Sequence, residues 1–106
     1  MKQVIVRYKV EPERAAQNEE LVRAVYEELH RTSPAGLRYV TFRLDDGVSF
    51  VHLAEHAEDG PNPLSDLPAF KRFQENIADR CQEGPVVSSA RTIGSYGLFE
   101  RGLVEP

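Results

Sequence analysis

The chain has 106 residues, with 13 basic and 17 acidic side chains and a net charge of -4, a length suited to one domain, residues 1–106, around a single core. The basic residues are scattered rather than gathered into a stripe, which argues against a nucleic-acid partner. Neither the short apolar start Met1-Lys2-Gln3-Val4-Ile5-Val6-Arg7 nor any later run has the length of a secretory signal or a membrane span, so a soluble, cytoplasmic protein with no membrane partner is expected.

Lys2 to Val10 reads as a first strand. Val4, Val6, Tyr8 and Val10 form its apolar face, and Gln3, Ile5, Arg7 and Lys9 a mixed one. Pro12 suits the first turn of a helix, and Glu11 and Glu13 suit the positive end of its dipole. Leu21, Val22, Val25, Tyr26 and Leu29 then recur at helical spacing as far as about Thr32, before Ser33-Pro34-Ala35-Gly36.

Asp46-Gly47 has the composition of a two-residue hairpin turn between Leu37–Leu44 and Val48–Ala54, both rich in strand formers. Counting outward from it, Asp45 faces Val48, Arg43 faces Phe50, Phe42 faces Val51, Thr41 faces His52 and Val40 faces Leu53. Arg38 meets Glu55 as an opposite-charge pair worth under about 1 kcal/mol. Val40, Phe42, Val51 and Leu53 therefore share one face, expected to be the inner one, and Tyr39, Thr41, Arg43, Phe50 and His52 the other. His52-Leu53-Ala54-Glu55-His56 spells the HxxEH pattern of a class of zinc peptidases, which requires a helix. On a strand the two histidines stand about 13 Å apart, too far to share an ion whose ligands sit within about 2.1 Å of it. No metal is expected.

Residues 57–63 form a loop by composition. A second helix is predicted from Ser65 or Asp66 to about Gln82, with Leu67, Phe70, Phe73, Ile77 and Cys81 as its apolar stripe. Cys81 is the only cysteine, which excludes an intrachain disulfide and a cysteine-based zinc site; at the end of that stripe it reads as a packing residue. Gly84-Pro85 stops the helix, and Val86 to Tyr96 reads as a last strand. The tail from Gly97 to Pro106 carries Leu98, Phe99, Leu103 and Val104, apolar enough to call for cover, for instance at a dimer contact.

Strand, helix, strand, strand, helix, strand is the α+β ferredoxin-like order: a four-stranded antiparallel sheet with both helices on one face. The other face is expected to carry Ile5, Tyr39, Thr41, Phe50 and His52 with Arg7 and Arg43, a patch that suits a second copy across a two-fold axis, giving a homodimer.

In this order, and in Val4–Pro12, Val51–Ala57 and Leu67-Pro68-Ala69-Phe70-Lys71-Arg72-Phe73, the chain resembles the dimeric α+β-barrel superfamily and its antibiotic-biosynthesis-monooxygenase group. The group contains cofactor-independent oxygenases of phenols and quinols, haem-degrading enzymes and proteins of no established role. The Asn, Trp and His of the haem-degrading members correspond here to Val6, Leu64 and Gln74, and the chain has no Trp, so haem degradation is not expected. His56 stands where the phenol and quinol oxidisers often have an aromatic.

The resemblance implies a ligand cleft between sheet and helices, lined here by Val6, Tyr8, Phe42, Leu53, Phe70 and Phe73, and open to a small hydrophobic aromatic ligand unless those side chains simply fill the core. Tyr8 offers the first polar group to such a ligand. His52, placed with Arg7, Arg43 and Thr41, is expected at the dimer face, where it binds an anion or serves as an interface residue. The ligand-binding candidates are thus Tyr8, Phe42, Leu53, Phe70, Phe73, His52 and His56; no residue is assigned as catalytic. The expected function is oxidation of a small phenolic or quinol-type molecule with no bound cofactor, the alternative being a non-catalytic ligand-binding or interaction homodimer.

Overall fold

The computed structural model describes residues 1–98; the apolar side chains expected in the tail beyond Leu98 lie outside them. Alternation at the start of the chain gives β1 (Lys2–Val10), whose Tyr8 and Val10 are buried under the helices. A 3-10 turn at Pro12–Arg14 leads into α1 (Ala15–Thr32), which ends on Ser33 in the left-handed region with its N–H on Leu29 O.

The hairpin β2 (Leu37–Arg43) and β3 (Ser49–His56) has the predicted register throughout, from Leu37 opposite His56 to Arg43 opposite Phe50. Its turn is longer than two residues. Leu44 N–H bonds Ser49 O, Gly47 N–H bonds Leu44 O, and the Asp46 carboxylate accepts from the backbone of Val48 and Ser49. Gly47, with φ of 78°, supplies the positive φ. The four-residue loop is centred where the two-residue one would be, so the pairing is unchanged. His52-Leu53-Ala54-Glu55-His56 lies within β3 as extended chain.

The second half departs from expectation. Asn62 caps a 3-10 turn at Pro63–Asp66, and Pro68 opens α2 (Pro68–Gln74), whose Ala69 N–H is capped by the Glu28 carboxylate of α1. The helix then breaks. Glu75 is extended and Asn76 left-handed (φ 58°), and only one further turn, α3 (Ile77–Arg80), follows. The last strand, β4 (Cys81–Ala90), begins before Gly84-Pro85 rather than after it. Cys81 is thus a strand residue opposite Val10, and Gly84-Pro85 falls where β4 carries one residue more than β1, between the pairs Lys9–Glu83 and Arg7–Val86. A proline is tolerated there because β4 is an edge and the bulge needs no ladder bond from it.

The sheet is antiparallel with order β2-β3-β1-β4 and the helices on one face, the ferredoxin-like arrangement. The inner and outer faces of the hairpin are exchanged relative to the sequence expectation. Pairing of β1 with β3 sets Val6 opposite His52 and Tyr8 opposite Phe50, so Phe50, His52, Thr41 and Tyr39 turn inward with them. The open face carries Ile5, Arg7, Val40, Phe42, Val51 and Leu53. Ile5 and Arg7 are where the sequence put them; the other four were expected inside.

Candidate functional site

Between the inner face and α2 lies a cavity of about 360 Å³, within the usual range of small-molecule sites. The sheet contributes Val4, Val6, Tyr8, Tyr39, His52 and Ala54; Leu64, Phe70, Phe73 and Ile77 face them, and Pro85 and Val87 of β4 complete the wall. Asn62 and Gln74 are its remaining polar lining. Apolar surface predominates, so the hydroxyls and the imidazole stand out as the groups able to orient a ligand.

His52 is at the centre. Its ring lies 5.3 Å from that of Tyr8 and 5.2 Å from that of Phe73, and it is 4% exposed. Nε2 is 2.7 Å from Tyr8 Oη, and Nδ1 is 2.6 Å from Tyr39 Oη and 2.9 Å from Thr41 Oγ1. Thr41 Oγ1 in turn meets Tyr26 Oη of α1 at 2.8 Å. On the other side Asn18 Nδ2 donates to Tyr8 Oη at 2.9 Å, and Arg80 Nε donates to Asn18 Oδ1 at 3.1 Å. Arg80 is itself buried, its two Nη groups donating to the carbonyls of Glu75 and Phe73. Among the described residues no buried side-chain nitrogen or oxygen lacks a partner, so seven polar side chains occupy the interior without an unmade bond.

Burial sets the electrostatics. It lowers the His52 pKa from 6.5 to about 4, so the imidazole is neutral at physiological pH. It raises that of Tyr39 to about 12 against an opposing hydrogen bond from Thr41. It also raises those of Tyr8 and Tyr26, against opposing hydrogen bonds from Asn18 and Thr41 respectively. Burial likewise lowers the pKa of Arg80 and raises that of Cys81. The site therefore offers a neutral acceptor flanked by protonated phenols in a largely apolar enclosure.

Of the seven residues singled out from the sequence, Tyr8, His52, Phe70 and Phe73 come together on the cavity wall. His52 is a correction: it faces the cavity and not the open face, because its partners are the hydroxyls under the helices. Phe42 and Leu53 are also corrections, lying on the opposite side of the sheet from the cavity. His56 is buried at the end of β3, where Nδ1 donates to Ala57 O, and does not line the cavity. Val6, Leu64 and Gln74, matched by counting to the haem-degrading members' Asn, Trp and His, do line it, so the count found the right wall with different chemistry on it. Among the described residues no group of three or more His, Cys, Asp and Glu side chains could hold a metal ion, and no helix is long and apolar enough to cross a membrane. Asn18 and Arg80 were missed, although Asn18 carries a signal: it sits four residues before Val22 and seven before Val25, on the buried stripe of α1.

No protein-family model and no curated protein matches the sequence. Solved structures share the fold. One named as an antibiotic biosynthesis monooxygenase is 21% identical with a TM-score of 0.67, the match covering 89% of this chain and 100% of that one. A candidate antibiotic biosynthesis monooxygenase from Caulobacter crescentus is 20% identical with a TM-score of 0.68, covering 88% and 90%. A protein of unknown function from Nitrosomonas europaea is 12% identical with a TM-score of 0.69, covering 90% and 91%. The fold is therefore that of the antibiotic-biosynthesis-monooxygenase-like α+β structures.

Proposed function

We propose that the cavity binds a small flat phenolic or quinol-type molecule and that the protein oxidises it with dioxygen without a bound cofactor. The observation that carries this reading is the buried, neutral His52 bonded through Nε2 to Tyr8 at the wall of an apolar cavity. A phenol seated there hydrogen-bonds to the Tyr8–His52 pair, which takes its proton as dioxygen draws electrons from the ring. Carbon then reacts with dioxygen. One oxygen stays on the ring carbon as a carbonyl, and the other leaves as water with the two displaced hydrogens. Phe70 and Phe73 hold the ring plane, and Tyr39 supplies a further hydroxyl near the imidazole.

The working unit in this reading is a cytoplasmic homodimer of one-domain chains, joined through the open sheet face with Ile5, Val40, Val51 and Leu53 at its centre and the tail as a further contact. Ile5, Val40, Val51 and Leu53 form an apolar strip on that face, away from the helices, which supports a second copy as its cover. Leu53→Lys should convert the dimer to a folded monomer, read by sedimentation equilibrium with circular dichroism unchanged; a wild-type chain that remains monomeric at high concentration would remove the dimer.

Oxygen uptake by metal-free protein against a panel of quinols and anthrone-type compounds tests the chemistry. Uptake that falls at least about 100-fold in Tyr8→Phe supports the oxygenase. Saturable ligand binding with no uptake from any member of the panel supports instead the non-catalytic binding dimer.

A further inference from the structure

The hydrogen-bond chain that reaches His52 begins at two side chains that do not line the cavity, Arg80 and Asn18. Its proton order can be followed from that end. A guanidinium only donates, so the Asn18 atom facing Arg80 Nε is the carbonyl oxygen, and the amide nitrogen is left facing Tyr8. An amide nitrogen also only donates, so Tyr8 Oη is an acceptor there. Tyr8 has one hydroxyl hydrogen, and its other partner is His52 Nε2 at 2.7 Å. A proton on Nε2 would leave the Tyr8 hydrogen with no acceptor among the described residues, so that hydrogen goes to Nε2.

We infer that Asn18 and Arg80 are positioning residues that set His52 in the tautomer protonated at Nδ1, with the bare Nε2 turned to Tyr8. The opposite end of the network cannot impose this. Tyr39, Thr41 and Tyr26 are hydroxyls, each able to donate or accept, and they adjust to whatever Nδ1 presents. Neutrality of the buried ring agrees with the assignment, since a doubly protonated imidazole would leave Tyr8 with two donors aimed at it and no acceptor for its own hydrogen.

The same inference gives the break after α2 a purpose. In an unbroken helix the carbonyls of Phe73 and Glu75 would accept from the backbone four residues on. With Glu75 extended and Asn76 left-handed they are released: Glu75 O accepts from Arg80 Nη1 at 2.9 Å and Phe73 O from Nη2 at 2.6 Å. The guanidinium is thereby oriented with Nε toward Asn18. The irregular backbone at residues 75–76 thus fixes the proton position on a ring on the far side of Tyr8.

For the chemistry this means that a hydroxyl in the cavity reaches His52 through Tyr8. Its proton passes to Tyr8 Oη while Tyr8's own passes to Nε2, so Tyr8 ends unchanged and the imidazole carries the charge. This last step rests on the proposed function; the tautomer does not.

Long-range proton–nitrogen correlation spectra of histidine-labelled protein, recorded without any ligand and assigned by loss of the His52 signals in His52→Gln, decide the matter. The wild type should show Nε2 bare and Nδ1 protonated. In Asn18→Asp the new carboxylate accepts from both Arg80 and Tyr8, so Tyr8 turns its hydrogen away and His52 must protonate Nε2: the tautomer flips. Tyr39→Phe leaves it as in the wild type, because Thr41 still receives the Nδ1 proton. An Nε2-protonated ring in the wild type, a flip in Tyr39→Phe, or no flip in a folded Asn18→Asp each overturns the inference; if Asn18→Asp does not fold, the first two spectra still decide. No substrate enters these spectra, so failure to consume oxygen leaves the result standing. Where oxygen uptake is found, Asn18→Asp should lower kcat at least about 10-fold with little change in KM.

Discussion

The two faces of the sheet reverse the usual association of polarity with position. The face under the helices carries Tyr8, Tyr39, Thr41 and His52, while the open face carries Ile5, Val40, Val51 and Leu53, with Phe42 40% exposed. Side-chain polarity alone would assign them the other way round. What decides is whether the polar atoms can satisfy one another. On the inner face each has a partner, so their aromatic bodies are buried without an unmade hydrogen bond. On the outer face no helix of the described residues packs. The lesson is that a mixed face with a closed hydrogen-bond network is as good a core as an aliphatic one, and can keep a chemically active group inside it.

Neighbouring residues on opposite faces give the sharpest test. His52→Ala leaves Tyr8, Tyr39 and Thr41 without their shared partner and opens space beside Phe73, and should cost about 3 to 4 kcal/mol in urea unfolding. Equal losses for His52→Ala and Leu53→Ala would erase the distinction between the faces. Acid should act on the inner face through His52. Unfolded His52 takes up a proton near pH 6.5 and the folded one only near pH 4, so its contribution is intact above pH 6.5 and is lost as the pH falls toward 4, by up to about 3 kcal/mol. His52→Gln should lack that slope in urea titrations across the same range. Leu53→Ala itself should cost about 1 kcal/mol at low protein concentration, and more at higher concentration if a second copy covers the face. The smallest effect belongs to the outer rim. Arg38→Ala should change the unfolding midpoint by under about 0.5 kcal/mol, since Arg38 and Glu55 are 3.9 Å apart and the arginine side chain is 86% exposed.

Much of the architecture was legible in the letters. The position of Asp46-Gly47 fixed the β2–β3 pairing to the residue, because a symmetric loop of two or four residues about one centre gives one register. Which side of that hairpin would be buried was not legible. It depends on the register between β1 and β3, strands separated by α1 and β2, and on hydroxyls meeting an imidazole only once the chain has folded. The second helix was overextended because Leu67, Phe70, Phe73, Ile77 and Cys81 keep helical spacing across the break; Asn76, a residue tolerant of the left-handed region, was the available warning. Gly84-Pro85 suits the end of a helix as well as the bulge in an edge strand that it forms, so its two letters do not tell the uses apart. Within the site, Tyr8, Phe70 and Phe73 were implied by the family resemblance, and they line the cavity. Arg80 could not be inferred, because its partners are backbone carbonyls freed by that same unforeseen break.

The bulge at Gly84-Pro85 has a consequence for life in a crowded solution. Among the described residues β4 is an outer strand of the sheet, the kind of border on which a stray extended segment can lodge and start a fibre. Pro85 has no amide hydrogen to lend to such a newcomer, and the extra residue throws the border out of step midway along its length. A foreign strand can therefore bond to short stretches of it but cannot zip along the whole, and the irregularity that lets Pro85 help close the cavity also guards the sheet against unwanted growth.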